Sequence, residues 1–256
     1  MAKEELHSTT LSKCLMVLDV LSRSDHVLSY TEVLERTELP KSTVYRLLSI
    51  LSNERLVHYD SQSRAYRMGY RLLELAARGL NNFDLRRAAA PILRSVGEAT
   101  GESVLLAMRD GDEIVYIDRV ESTRSVRPST MVGNRAPLYC TGLGKAILAF
   151  LPEPTRRTLY ETMAFHAFTP NTITSVEVLE SELSRVRERG FSFDDTEHQP
   201  DIRCVAAPII GPQGEVVGAV SISAPSSRAD WKNLETWTPL VRGAVASISR
   251  EIGGGA

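Results

Sequence analysis

The chain has few cysteines, no long apolar run and little net charge. Its 256 residues include three cysteines, Cys14, Cys140 and Cys204, which are far apart and form no CxxC pair. Neither a disulfide scaffold nor a zinc ribbon is therefore supported. No apolar stretch approaches the ~18 residues of a membrane span. The opening MAKEELHSTT lacks the basic, apolar pattern of a secretory signal. We expect a cytoplasmic protein with no membrane partner.

The charge is unevenly distributed, although the whole chain carries a formal net charge of only −2. Residues 41 to 78 contain seven basic and three acidic side chains, a local excess of +4. A basic segment of this kind attracts the phosphate groups of nucleic acids. Ordinary surface arginines on helices would give the same count, so this asymmetry alone leaves both readings open.

The stretch from Leu28 to Gly69 has the pattern of a helix, a tight turn, a second helix and a two-stranded wing. Ser29 and Glu32 match a capping box at the start of the first of these helices. The second helix begins after Pro40 and has an apolar stripe at i, i+3, i+4 and i+7, formed by Val44, Leu47, Leu48 and Leu51. With a preceding helix over residues 11–24 and a hairpin of residues 57–59 and 65–68, this order predicts a winged helix-turn-helix.

The polar side of the second helix supplies the candidate contacts to double-stranded DNA. Ser42 and Thr43 are placed to donate to phosphate, and Arg46 to read a guanine edge. Arg64 at the wing would reach phosphate or the minor groove. The full candidate set is Lys41, Ser42, Thr43, Tyr45, Arg46, Ser49 and Arg64. The competing interpretations are helix capping by Ser42 and Thr43 and a solvated, uninvolved Arg46.

The second half of the chain predicts an α+β domain with an antiparallel sheet. Hairpins are expected over residues 103–120, where Asp110-Gly111 forms the turn, and over residues 204–223. Helices are expected over 143–151 and 175–189, the latter ended by Gly190. Its apolar face is predicted to be Val178, Leu179, Leu183 and Val186. A last helix over 229–252 is expected to be interrupted or kinked at Pro239.

Four segments make the chain similar to a known family. They are residues 39–48 (LPKSTVYRLL), residues 133–146 (GNRAPLYCTGLGKA), residues 189–194 (RGFSFD) with Glu197, and residues 202–208 (IRCVAAP) with 218–223 (GAVSIS). In this order behind a winged helix, they resemble the IclR family of bacterial transcriptional regulators. The chain departs from the family pattern at three positions. Glu38 replaces a common glycine before the recognition helix, Thr196 replaces a common acidic residue, and Asp201 replaces a usual glycine.

The resemblance implies a domain plan and a set of partners. It implies a winged helix-turn-helix DNA-binding domain at residues 1–69, a linker helix at 70–82 and a GAF-like α/β effector-binding domain at 83–256. It also implies a homodimer or dimer of dimers on a roughly palindromic operator, and a small-molecule effector from a catabolic pathway. Neither a catalytic site, a cofactor nor a metal is expected.

Motif by motif, the resemblance also implies an effector pocket. Its expected members are Gly142, Leu143, Asp194, Ile202, Cys204, Ser221 and Ser223, with Ser125 and Pro128 as weaker candidates. Helix-terminal amides facing outward at residues 142–144, together with hydroxyls spaced by two on a strand, suit a carboxylic acid. The alternatives are serines at an exposed sheet edge, a purely hydrophobic Cys204, and glycines that serve close packing alone.

Three functions from other classes remain open at this point. A cysteine hydrolase would use Cys204 or Cys140 with His198 as base. A metal site would combine Cys204, His198 and Asp194, although the spacing matches no standard zinc pattern. A winged helix can also bind protein or RNA instead of duplex DNA.

Overall fold

A computed structural model describes residues 9–81, 84–128 and 130–254. The chain divides into two compact units, residues 1–82 and 83–256. The elements of the N-terminal unit are α1 (Thr9–Ser22), β1 (Leu28–Ser29), α2 (Tyr30–Thr37), α3 (Lys41–Asn53), β2 (Val57–Asp60), β3 (Ala65–Met68) and α4 (Tyr70–Asn81). No helix among the described residues is both long and apolar enough to cross a membrane.

The N-terminal unit is a winged helix-turn-helix built on one apolar core. The predicted stripe of α3 is buried against α1 and α2, with Val44 and Leu47 fully inaccessible to solvent. The wing of β2 and β3 is antiparallel, and the short β1 adds a third strand on the far side of β3. Sequence analysis did not anticipate β1, because two residues give no alternating pattern.

The turn between α2 and α3 keeps the shape that a glycine would give it. The capping box of Ser29 and Glu32 is present at the start of α2. At the other end, Glu38 caps the helix in the left-handed region, at φ 54°, and its N–H donates to the carbonyl oxygen of Leu34. The replacement of glycine by Glu38 therefore leaves the winding of the turn intact and places a side chain in strained backbone geometry.

The C-terminal unit alternates helices with an antiparallel sheet. Its elements are α5 (Asp84–Thr100), β4 (Ser103–Asp110), β5 (Glu113–Val120), β6 (Arg135–Pro137), α6 (Gly142–Phe150), α7 (Glu153–Thr162), α8 (Val176–Arg189), β7 (Ser192–Asp195), β8 (Ile202–Ile210), β9 (Val216–Pro225) and α9 (Trp231–Glu251). The sheet order is β6-β5-β4-β9-β8-β7, and its neighbouring strands are antiparallel.

Helices cover both faces of this sheet. Alternate residues of the central strands point to opposite sides, so Val220 and Ile222 pack with α5 and α9. Ala206 and Ala219 pack with α6 and α8 on the other side. The three layers bury apolar side chains on each face, which is why the central strands are almost continuously apolar.

Two expectations for the helices of this unit are wrong. Val178 does not belong to the buried face of α8, since its side chain is exposed while Leu179, Leu183 and Val186 are fully buried. Of the two outcomes expected at Pro239, the interruption is wrong, because α9 is one continuous helix from Trp231 to Glu251. The C-terminal stop of α8 at Gly190 is confirmed, with left-handed geometry at φ 78°.

Candidate functional site

The polar side of α3 is open to solvent along its length. Lys41, Ser42, Tyr45, Arg46 and Ser49 are exposed, and Thr43 is half-buried. Among the described residues, no carboxylate forms an ion pair with Lys41 or Arg46. This face therefore presents two cations, hydroxyls and an aromatic ring next to the basic wing.

The N-terminus of α3 is held in place without a side-chain cap. Pro40 occupies the N-cap position and makes no side-chain hydrogen bond, so capping does not use the hydroxyls of Ser42 and Thr43. Instead the hydroxyl of Tyr30 in α2 donates to the carbonyl oxygen of Lys41 at 2.7 Å. Ser49 is different, because its hydroxyl already donates to the carbonyl oxygen of Tyr45.

The wing places Arg64 at an exposed tip. Asp60 accepts hydrogen bonds from the backbone N–H of Gln62 and the hydroxyl of Ser63, which closes the turn. These hydrogen bonds hold the pKa of Asp60 below its ordinary value. Arg64 follows in the left-handed region, at φ 52°, with an exposed side chain.

In the C-terminal unit one cavity lies between the sheet and the start of α6, here named the sheet cavity. All seven residues expected in the effector pocket line it, as does Pro128. Ser125 does not line it, and neither do Thr196 and Asp201, the two positions that depart from the family pattern. The space left inside is about 30 Å³, enough for about one water molecule.

Strand register explains why these distant residues meet. Asp194, Cys204 and Ser223 are direct partners across β7, β8 and β9. Ser221 is two positions away on the same face and lies opposite Leu105 of β4. The hydroxyl oxygens of Ser221 and Ser223 are 3.2 Å apart and both side chains are buried, since β9 is a central strand. The edge-strand alternative for the two serines is wrong.

Two glycines let α6 approach the sheet. A Cβ atom on Gly142 would lie 2.5 Å from the Sγ atom of Cys204, and one on Gly144 would overlap the backbone of Leu138. The amide of Gly144 donates to the hydroxyl of Thr141, the N-cap of α6. Residues 142–144 are buried, and the Gly144 amide, expected to be free, is occupied by this hydrogen bond. The positive end of the helix still points at the cavity.

A buried charged cluster stands beside the cavity. Lys145 of α6 forms an ion pair with Glu197, and both side chains are more than nine-tenths buried. Asp194 accepts a hydrogen bond from the backbone N–H of Glu197 at 2.8 Å. Burial, followed by the nearby charge of Glu197, raises the pKa of Asp194 to about 7. Burial also lowers the pKa of His198, another lining residue.

The cavity lacks the activated groups of a cysteine hydrolase. Burial raises the pKa of the Cys204 thiol far above its usual range, and that of Cys140 to about 12. A nucleophilic cysteine requires the opposite shift. The described residues also contain no group of three or more His, Cys, Asp or Glu side chains placed to hold a metal ion.

Sequence reasoning missed part of the lining. The additional residues are Leu105, Tyr116, Thr130, Thr141, His198 and Gln199. Thr141 carried a usable signal, since a threonine just before a glycine-rich helix start is a common N-cap. For His198 the sequence suggests only the roles of a base or a metal ligand. Tyr116 and Leu105 reach the cavity through strand pairing, which no local pattern reveals.

Comparison with known proteins gives matches over almost the whole chain. The family model for the IclR helix-turn-helix domain matches residues 10–61, and that for the bacterial transcriptional regulator IclR C-terminal domain matches residues 77–250. The chain is 33% identical over 246 residues to the HTH-type transcriptional regulator KdgR of Escherichia coli K12, covering 95% of this chain and 94% of that protein.

Solved structures agree with these matches. The crystal structure of the Thermotoga maritima IclR superimposes with a TM-score of 0.84 at 33% identity, covering 96% of this chain and 100% of the other. An IclR homologue from Microbacterium hydrocarbonoxydans, crystallised with 4-hydroxybenzoate, gives a TM-score of 0.82 at 23% identity, covering 95% of this chain and 98% of the other. The second likeness concerns the fold alone.

Proposed function

Because this chain belongs to the IclR family of bacterial transcriptional regulators, we propose that it binds a roughly palindromic operator as a dimer and that a small organic acid in the sheet cavity controls this binding. The family assignment itself makes the chain a DNA-binding regulator and not an enzyme. The proposal adds the operator symmetry, the effector class, a cytoplasmic location and the residues that act.

The DNA-binding role of α3 is supported by what its exposed side offers. A helix enters the major groove with one face of side chains directed at base edges. Arg46 lies one turn into α3, where a guanidinium can make two hydrogen bonds to guanine. Lys41, Ser42 and Thr43 lie at the helix start, where the helix dipole favours phosphate. Tyr45 offers a ring to a thymine methyl group or a phosphate.

The dimer is supported by apolar side chains that the N-terminal unit leaves exposed. Leu11, Leu15 and Met16 lie on the outer side of α1, and Leu73 and Leu75 lie on α4. Burying such surfaces against a second copy is favourable by about 25 cal/mol per Å². A two-fold dimer would place two copies of α3 on half-sites about one helical turn apart, which matches a palindrome.

The effector role rests on one observation, the convergence of all seven expected residues on a single cavity. Ser221 and Ser223 offer hydroxyls, the start of α6 offers a positive dipole, and Leu143 and Ile202 offer apolar walls. A small organic acid has the matching chemistry. Ligand pockets usually enclose roughly 300 Å³ or more, so binding an acid must displace lining side chains or the neighbouring loops.

The two arginines of the DNA-binding face are expected to behave differently. Arg46→Ala should weaken operator binding by about 1–3 kcal/mol and relax sequence preference. Arg64→Ala should weaken operator and random DNA alike, because phosphate contacts are independent of sequence. Gel-shift titrations with both duplexes measure this. Unchanged operator affinity in Arg46→Ala would remove that residue from base recognition.

The same titrations separate DNA from RNA or protein as the target of the winged helix. Affinity for a duplex fragment from upstream of the protein's own coding sequence should fall steeply with salt and should require two half-sites. A preference for single-stranded RNA, or no preference for any upstream fragment, would contradict the proposal.

The effector class is testable by thermal shift. Acetate, succinate, benzoate and 4-hydroxybenzoate sample small, dibasic and aromatic acids. An acid that binds only the folded protein raises its melting temperature by mass action. Replacing both serines, Ser221→Val with Ser223→Val, should remove the shift. Failure of every acid to raise the melting temperature at pH 6 would contradict an organic-acid effector.

A further inference from the structure

Two carboxylates and one ammonium group are buried together at the edge of the sheet cavity. Lys145, Asp194 and Glu197 expose 2%, 6% and 6% of their surfaces. With all three charged, the cluster has a net charge of −1 in an environment that solvates charge poorly. A buried excess charge of this kind is costly unless a proton neutralises it.

The lysine is committed to only one of the two carboxylates. Its ammonium forms the hydrogen-bonded ion pair with Glu197. Asp194 instead has backbone partners, the N–H groups of Glu197 and His198. Lys145 does not line the sheet cavity, whereas Asp194 does. The group that faces an incoming ligand is therefore the carboxyl group without a cationic partner.

The cavity has no cation for an anionic effector. Among the described residues that line it, none is lysine or arginine. His198 is the only lining residue that could gain a positive charge, and its burial opposes that. The N-terminus of α6 contributes only a partial positive charge, about half a unit. An organic carboxylate beside an ionised Asp194 would be a second buried anion without compensation.

We propose, building on the effector role inferred above, that Asp194 carries a proton in the complex and donates it in a hydrogen bond to the effector's carboxylate. Binding therefore takes up about one proton from solvent when the free protein is ionised at Asp194. The regulator responds to intracellular pH as well as to the acid.

The surroundings of Asp194 favour this protonation. The titratable groups near it are Lys145 of α6, Glu197 and His198 of the following turn, Cys204 of β8, Tyr116 of β5 and Cys140 before α6. Lys145 and the two backbone N–H groups favour the anion. Burial and the charge of Glu197 outweigh them and place the pKa of Asp194 at about 7.

Carbon-13 NMR of the unliganded protein, with labelled aspartate carboxyl groups, tests the first step. One aspartate signal should titrate near neutral pH and be missing in Asp194→Asn. Asp201→Asn, which changes an exposed aspartate outside the cavity, is the matched control and should keep the signal. If the signal removed by Asp194→Asn titrates below pH 5, the inference is overturned, and the proposed effector class is untouched.

Calorimetry with benzoate and its uncharged isostere benzamide tests the coupling. Benzoate should bind the wild type with nearly one proton taken up at pH 8, measured from the enthalpy difference between phosphate and Tris buffers. Its affinity should fall about tenfold per pH unit above pH 7. Asp194→Asn should remove both effects, and Asp201→Asn, the same change at an exposed position outside the cavity, should retain them. Benzamide affinity should not change with pH.

The outcomes separate the two proposals. Benzoate affinity that does not change between pH 6 and 8 overturns the inference alone. Loss of proton uptake in His198→Gln but not in Asp194→Asn overturns the assignment to Asp194. If benzoate and the other three acids all fail to bind at pH 6, the effector class itself is contradicted, and the inference falls with it.

Discussion

At the residue scale, Gly142 determines how close α6 comes to the sheet. It is the point where the helix start meets the Sγ atom of Cys204. Gly142→Ala should therefore destabilise the protein by about 1–3 kcal/mol through overpacking. Adding Cys204→Ala removes the clashing atom, so the double variant should be less destabilised than the sum of the single variants by about 1 kcal/mol or more.

Urea denaturation measures this double-mutant cycle, and Gly243→Ala is its control. Gly243 lies within α9 with no atom near an added Cβ, so alanine there should stabilise by about 0.5–1 kcal/mol. Additive effects of Gly142→Ala and Cys204→Ala would show that the two residues are not in tight contact.

Asp194 should make stability depend on pH even without an effector. Its pKa is about 4 in an unfolded chain and is raised to about 7 in the folded protein. Between these values the folded state holds the extra proton, so stability falls as pH rises and levels off above pH 7. Asp194→Asn removes this cost and should stabilise the protein by roughly 2–4 kcal/mol at pH 8.

Thermal melts from pH 5 to pH 8 measure that stabilisation, which should shrink toward pH 5. The asparagine oxygen can still accept the N–H of Glu197, which isolates the effect of charge. A difference between variant and wild type that stays constant over this range would contradict the raised pKa of Asp194.

At the element scale, the turn between α2 and α3 carries a measurable strain. A side chain in the left-handed region costs roughly 1–2 kcal/mol, and Glu38 has φ 54°. Glu38→Gly should stabilise the protein by about 0.5–1 kcal/mol after the entropy of glycine is subtracted. Operator affinity should be unchanged, because the turn keeps its shape.

Glu35→Gly provides the comparison, since Glu35 is exposed inside the same helix. Glycine there should destabilise by about 1 kcal/mol. Denaturant titration distinguishes the two variants by sign. Equal destabilisation by both would mean that Glu38 is not strained.

The sequence could predict those helices and strands in which the spacing of apolar residues matches the face that is buried. Helix α3 has an apolar stripe that matches its buried face, and the hairpin turn at Gly111 has the positive φ that its sequence implies. Helix α7 was not predicted, because one of its buried side chains is the charged Arg156, which pairs with Glu180 of α8 and breaks the apolar pattern. The prediction for Val178 is wrong because an apolar residue in the first turn of a helix, here α8, can remain exposed.

Only those site residues that belong to a local pattern or a family motif could be predicted from the sequence. Ser221 and Ser223 follow from the two-residue period of a strand. The ion pair of Lys145 and Glu197 does not follow from any local pattern, because the two residues are 52 positions apart in the sequence. Nor does any sequence pattern show that the cavity has only about 30 Å³ of free space or that Asp194 has no ion-pair partner among the described residues.

At the scale of the whole molecule, the account requires that two sites in different compact units influence each other. The DNA-binding face belongs to residues 1–82, and the sheet cavity to residues 83–256. Linkage demands that an acid which changes operator affinity be bound more or less tightly in the presence of operator, by the same factor. Such couplings are typically about 5–150-fold.

The most direct test is fluorescence anisotropy of a labelled operator fragment, titrated with the protein in the absence and presence of a saturating acid from the thermal-shift panel. The account predicts at least a fivefold change in operator Kd in the wild type. It predicts no change in the variant with Ser221→Val and Ser223→Val, which should bind operator normally. Identical wild-type Kd values with and without a bound acid would contradict it.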